Sequence, residues 1–318
     1  MKLASSTFAR RALLPAGALM AAALTLTACG GNPLSNPSTA GSGGSSAAGS
    51  VIVGSADFPE SQVIAEIYAG ALQAAGVSVT PKMNIGSREA YVGGLKDGSI
   101  DLIPDYTGNL LGFLDTKNTL SDKDAIVKAL PDKLSASGLA VLDPAAAEDK
   151  DAMVVTKATA EKYQLSSLED LAKVCDKLTF AAPPEFATRD YGLPGLKAKY
   201  NCVPSKFQPI KDGGGPLTVK ALISDQVQVA DIFTTSPAIQ DNNLVVLSDP
   251  KNNFLAQQVI PLYKSSKLSD AAKQALNNVS KQLTTDDLIN LNRQISGDQK
   301  LEPKDAAQQW LKDKGIVK

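Results

Sequence analysis

Histidine is absent from all 318 residues. That removes the usual general base of serine and cysteine hydrolases and the commonest transition-metal ligand, leaving only lysine- or carboxylate-based chemistry to consider. Tryptophan occurs once, as Trp310, so a binding cage walled by several indoles is excluded by counting. No segment matches Gly-x-x-x-x-Gly-Lys-Ser/Thr, and the chain therefore does not hydrolyse nucleotides through a P-loop. A charge excess is missing too: 32 basic and 33 acidic side chains give a formal charge of −1, with no basic surplus for a nucleic-acid partner. Cysteine is scarce, at positions 29, 175 and 202. Ala12 to Ala28 is apolar, but it is short for a membrane-spanning helix and carries Pro15.

What is present at the N-terminus is ordered. Lys2, Arg10 and Arg11 precede the apolar run without any acidic residue, and the run ends in Leu26-Thr27-Ala28-Cys29. This arrangement resembles the bacterial lipoprotein signal, which implies a signal peptide over residues 1–28 and lipidation of Cys29 as the mature N-terminus; the competing reading is an ordinary secretory peptide. Arg10-Arg11 also permits twin-arginine export, and either route leads out of the cytoplasm. Residues 29–50, rich in Gly, Ser, Ala, Asn, Pro and Thr, carry no charge and have almost nothing to bury. They read as a flexible lipid-anchored linker with a mean reach of roughly 25 Å. In an exported chain, Cys175 and Cys202 pair more often than they bind metal, with two buried free thiols as the alternative.

From Val51 onward, strand and helix patterns alternate. Ser50 to Ser55 reads as a buried strand, Pro59 to Gly76 as an amphipathic helix, Val77 to Thr80 as a strand, Ser87 to Leu95 as a helix and Ile100 to Ile103 as a strand. A second series runs through Asp151 to Thr156 (strand), Ser167 to Cys175 (helix), Leu178 to Ala182 (strand), Leu217 to Ser224 (helix) and Gln228 to Phe233 (strand). From about Val259 the chain reads as mostly helical, over Ala271 to Gln282, Thr285 to Asn292 and Pro303 to Lys312. Alternation of this kind predicts an α/β fold with two lobes, residues 51–153 and 154–256, and a return of residues 257–318 to the first.

Four segments then carry a family resemblance. Gly54-Ser55-Ala56-Asp57-Phe58-Pro59-Glu60-Ser61, Pro104-Asp105-Tyr106-Thr107-Gly108-Asn109, Pro184-Glu185-Phe186 with Arg189 and Gly192-Leu193-Pro194-Gly195-Leu196, and Ala230-Asp231-Ile232-Phe233-Thr234-Thr235 resemble the substrate-binding lipoproteins of osmoprotectant ABC importers, which take glycine betaine, choline or carnitine. The resemblance implies a two-lobed periplasmic-binding-protein fold of type 2 with a two-strand hinge. It also implies capture by lobe closure without covalent chemistry, no cofactor or metal, a permease and its ATPase subunit as partners, and a monomer held at the membrane by its lipid.

Residue by residue, the resemblance makes Tyr106 and Phe233 cage aromatics, Asn109 a polar contact to a ligand carboxylate and Arg189 the guanidinium that grips it. Asp57, Phe58, Thr107, Thr234 and Thr235 are further ligand-binding candidates by their place at strand ends. Asp151 and Gln257 stand where some relatives have cage tyrosines, and Ala56 where some have a basic residue. These departures keep a more polar or polyhydroxylated cargo open. A lipid-anchored sensory role, and a hydrolase or lyase using Asp57 and Asp105, also stay open. Tyr68 and Tyr91 read as core packing, Glu60 as a helix-start acid, and Gly213 to Pro216 as a tight turn.

Overall fold

The computed structural model describes residues 50–296 and 300–318; Cys29, the signal segment and the linker up to residue 49 lie outside the described residues. Ten strands are present among them: β1 (Val51–Gly54), β2 (Val79–Lys82), β3 (Leu102–Tyr106), β4 (Leu139–Val141), β5 (Met153–Val155), β6 (Thr179–Ala182), β7 (Lys206–Pro209), β8 (Val229–Asp231), β9 (Val245–Val246) and β10 (Val259–Lys264). They form two five-stranded sheets, ordered β2-β1-β3-β10-β4 and β7-β6-β8-β5-β9. In each, four strands share one direction and one strand, β10 or β5, lies antiparallel to both its neighbours.

The central strands are buried almost throughout, as expected where helices cover both faces of a sheet. Helix Pro59–Ala74 starts with proline, whose missing N–H has no intrahelical partner to lose. It buries Val63, Ile64, Ile67, Tyr68, Ala71 and Leu72 against a core that also holds Leu276, Leu288, Trp310 and Leu311 of the C-terminal helices Asp270–Gln282, Thr285–Ser296 and Pro303–Asp313. The C-terminal segment thus packs on the first lobe. Beyond it, the second lobe has its own cores around Phe180, Leu171 and Phe186, and around Val154, Leu222 and Ile232.

Two antiparallel segments join the lobes. Ala145 and Asp149 donate backbone N–H groups to Val259 and Gln257, and Val259 donates back to Ala147. Gly108 lies so close to this crossing that a Cβ there would clash with the Ala256 carbonyl oxygen and Leu255. A glycine is therefore required by approach of the backbone, which explains the Tyr-Thr-Gly sequence in physical terms.

Some expectations shift. Strands β2 and β3 lie about two residues later than the pattern places them, and Ser167 to Cys175 is helical only over Leu168–Ala172 before a short 3-10 turn at Cys175–Lys177. The largest correction is β10: Val259–Lys264 is not helical but a strand inserted between β3 and β4. Pro261 obscures it, since proline argues against a central strand; here it faces Pro104 across the ladder. Helices Thr107–Leu114, Lys123–Ser135, Lys157–Tyr163, Leu193–Tyr200 and Pro237–Asp241 are additional to those the pattern predicts. Cys175 and Cys202 are disulfide-bonded with a Cα–Cα distance of 5.4 Å.

Candidate functional site

A cleft with about 820 Å³ of empty space lies between the lobes, where loops follow the carboxyl ends of β1, β3, β6 and β8. This is the expected ligand position for open α/β sheets. Phe58 follows β1, Tyr106 closes β3 and Phe233 follows β8. Phe58 is the shared member, with ring centroids 6.2 Å from Tyr106 and 5.5 Å from Phe233, the latter edge to face. Gly213, at φ 59°, lets the opposing loop lie against these rings; a Cβ there would sit 2.8 Å from Phe58 Cβ.

Tyr91, Phe186 and Tyr191 also border the cleft. Tyr91 on helix Arg88–Asp97 is buried in the core, as its spacing predicts, and it also borders the cleft. Nothing in the sequence singles out Tyr191. Its hydroxyl accepts a hydrogen bond from Arg189 Nη1 at 2.7 Å, and its ring packs edge-on to Phe186.

Charge in the cleft is organised in pairs. Arg88, which no motif marks in the sequence, is buried and donates from Nε and Nη2 to Asp105, the shortest contact being 2.7 Å. Asp105 also accepts the backbone N–H of Tyr106 at 2.7 Å, so this ion pair seats Tyr106. Arg189 pairs across the lobes with Glu89 at 3.2 Å and within its own lobe with Glu185 at 3.7 Å. Lys211 reaches Asp57 at 3.3 Å, a second rim pair between the lobes.

Buried carboxyls form the rest of the floor. Asp151 accepts the Asn109 side-chain amide at 2.8 Å; burial outweighs that bond and raises its pKa. Asp149 accepts from the Thr235 backbone and the Thr234 hydroxyl, yet burial, with the Glu60 charge beside it, pushes it well above the usual carboxylate range. Asp231 is pushed up likewise, by burial first and by Asp151 second.

Of the sequence candidates, Asp57, Phe58, Tyr106, Asn109, Asp151, Arg189 and Phe233 meet in the cleft. Thr107, Thr234, Thr235 and Gln257 do not border it. Thr107 belongs to the hinge, accepting from Gln258 N–H, and Gln257 accepts from Asn109 N–H. Thr234 and Thr235 brace Asp149, and Thr235 donates its hydroxyl to Glu60 at 2.6 Å. Glu60 is therefore more than a helix-start acid: it also accepts from Tyr106 and Asn292, tying Tyr106 and a C-terminal helix to the second lobe.

The Glu89–Arg189 pair is partly exposed, and such pairs contribute little. Glu89→Gln should lower stability by under about 1 kcal/mol in urea titration, less at high salt. Burial raises the Glu89 carboxyl, but bonds from Ser87 and Arg189 outweigh it and hold the group at about 2. A depressed carboxylate stabilises above its unfolded pKa and loses that contribution on acidification. The difference between parent and variant should fade as pH falls from 4.5 toward 2.

The family model for the substrate-binding domain of ABC-type glycine betaine transport systems matches residues 49–313. The chain is 29% identical over 286 residues to the glycine betaine-binding protein YehZ of Escherichia coli K12, spanning 86% of this chain and 93% of that protein. It is 26% identical over 294 residues to the carnitine transport binding protein OpuCC of Listeria monocytogenes, spanning 87% and 91%. A crystal structure of a glycine betaine/carnitine/choline ABC transporter component shares the fold at a TM-score of 0.67 and 23% identity, over 84% of this chain and 99% of that one. With its two sheets, hinge and interlobe cleft, the chain belongs to the family of substrate-binding domains of ABC-type glycine betaine transport systems.

Proposed function

We propose that this chain captures a methylammonium solute of the glycine betaine type between its lobes and presents it to a membrane permease driven by a separate ATPase subunit. The observation that carries the reading is the aromatic set Phe58, Tyr106 and Phe233, drawn from both lobes onto one cleft. A methylated ammonium is held by π faces, at ~2 kcal/mol when desolvated. Because Phe233 comes from the second lobe and Tyr106 from the first, such a ligand favours approach of the lobes. Differential affinity for the closed form is what shifts the population toward it.

The N-terminal segment suits this role. Cys29 carries the lipid, residues 29–50 serve as the tether, and the body works outside the cytoplasm as a monomer whose lobes, residues 51–153 and 154–256, close about the hinge with 257–318 packed on the first. The carboxylate of a betaine meets Arg189 or Asn109, although both already have protein partners.

Glycine betaine, choline and carnitine should each be tested by thermal shift. A ligand at a hundred times its Kd adds about 2.7 kcal/mol to the native state. Tyr106→Leu should weaken binding of the responding ligand by roughly 30-fold, equivalent to losing ~2 kcal/mol of cation–π attraction. No melting shift with any methylammonium compound would discard the reading.

A further inference from the structure

Charge pairing in the cleft leaves one group over. Among the described residues, each basic side chain bordering the cleft has its own carboxylate: Arg88 has Asp105, Arg189 has Glu89 and Glu185, and Lys211 has Asp57. Asp149, Asp151 and Asp231 border the same cleft outside these pairs. Asp149 is satisfied by Thr234 and Thr235, and Asp151 by Asn109. Asp231 is 1% exposed, and neither of its carboxyl oxygens makes a hydrogen bond of normal distance and angle among the described residues, its nearest polar neighbours being the Asp151 carboxyl and the Ala152 N–H.

A buried carboxyl without a donor is costly, and the cost is retained where a ligand supplies the donor. Its position is imposed by the sheet. Asp231 ends β8 opposite Met153, Ile232 N–H bonds to Ala152, and the carboxyl therefore stands beside Asp151 at the strand ends. Gly214, at φ 74°, approaches the backbone here: a Cβ there would lie 2.9 Å from the Asp231 carbonyl oxygen. A metal is not the missing partner, since no group of three or more His, Cys, Asp or Glu among the described residues is placed to hold one.

Resting on the reading that this cleft takes methylammonium solutes, we propose that the ligand carries an N–H donor that reaches Asp231, so that N–H-bearing methylammonium compounds are preferred over donor-free glycine betaine. A fully methylated ammonium satisfies the aromatic rings but offers nothing to a carboxyl oxygen. A hydroxyl would fill one lone pair; a charged or polarised N–H fills it with a stronger, charge-assisted bond. Two sources of the donor share this chemistry: the ammonium itself, when one methyl is replaced by hydrogen, or a ring N–H elsewhere on a quaternary betaine.

Titration calorimetry of the full chain with glycine betaine, N,N-dimethylglycine and histidine betaine separates them. At least one N–H-bearing compound should bind about tenfold tighter than glycine betaine, a modest figure for a site built to hydrogen-bond its substrate. A gain with dimethylglycine assigns the donor to the ammonium, and a gain with histidine betaine to the ring. In Asp231→Leu, which removes both acceptor oxygens, that affinity ratio should collapse toward one. Glycine betaine binding at least as tightly as both others, or an unchanged ratio in the variant, overturns the inference and leaves the transport reading standing. Failure of all three to bind overturns the inference, and silence of choline and carnitine as well overturns both; the comparison in the parent protein needs no variant to fold.

Discussion

Replacing Arg88 with alanine should lower the unfolding free energy by about 3–5 kcal/mol, the cost of removing one member of a buried ion pair. Asp105 is fully buried and Arg88 only 6% exposed, so water cannot take over the guanidinium's role. The loss reaches the cleft as well. Asp105 holds the Tyr106 backbone N–H, and without Arg88 the uncompensated carboxylate draws water in beside Tyr106. Arg88→Lys keeps the charge but forfeits the two-nitrogen fork, and should fall between parent and alanine variant. Arg88→Met with Asp105→Leu should recover part of the stability, though not all, because Tyr106 N–H then lacks its acceptor. Urea unfolding checks the series; an Arg88→Ala midpoint equal to that of the parent would show the pair to be dispensable.

Opening the Cys175–Cys202 bridge is the second large effect. The cysteines are 27 residues apart, and the chain-entropy model gives about 3–4 kcal/mol for a loop of that length. The enclosed segment is not peripheral. It contains β6 and the loop that delivers Phe186, Arg189 and Tyr191 to the cleft before helix Leu193–Tyr200 turns back. The double variant Cys175→Ala, Cys202→Ala should therefore unfold at clearly lower urea, and reductant should shift the parent in the same direction while leaving the variant unmoved. A parent midpoint insensitive to reductant, with thiols shown to be free, would mean that the native core already fixes this loop.

Much of the scaffold is legible along the chain. Helix Pro59–Ala74 announces itself through its proline start and apolar face, and Asp270–Gln282 and Pro303–Asp313 through their periodicity. Seven candidate residues meet in one cleft because the motifs that carry them sit at strand ends, and strand ends converge in this architecture. What escapes is of two kinds. β10 is hidden by its own proline, a local signal that the sheet overrides. Arg88 and Tyr191 are hidden by context: an arginine on an amphipathic helix and a tyrosine in a loop each look ordinary until their surroundings are known. Thr107, Thr234 and Thr235 depart in the opposite sense, since a hydroxyl at a strand end satisfies neighbouring protein groups as readily as it would a ligand.

By itself, then, the sequence determined the two-lobed α/β plan, the cysteine pair, the aromatic residues available to a cation and the absence of histidine chemistry, because each is set by residue type or short-range spacing. Tertiary structure decided which charges are spent on the protein and which remain for a ligand. Glu89 and Arg189 are 100 residues apart, and Glu60 and Asn292 are 232 apart. No local pattern encodes such pairings; they arise only when the hinge brings two sheets face to face, and electrostatic compensation depends on distance in space rather than separation along the chain.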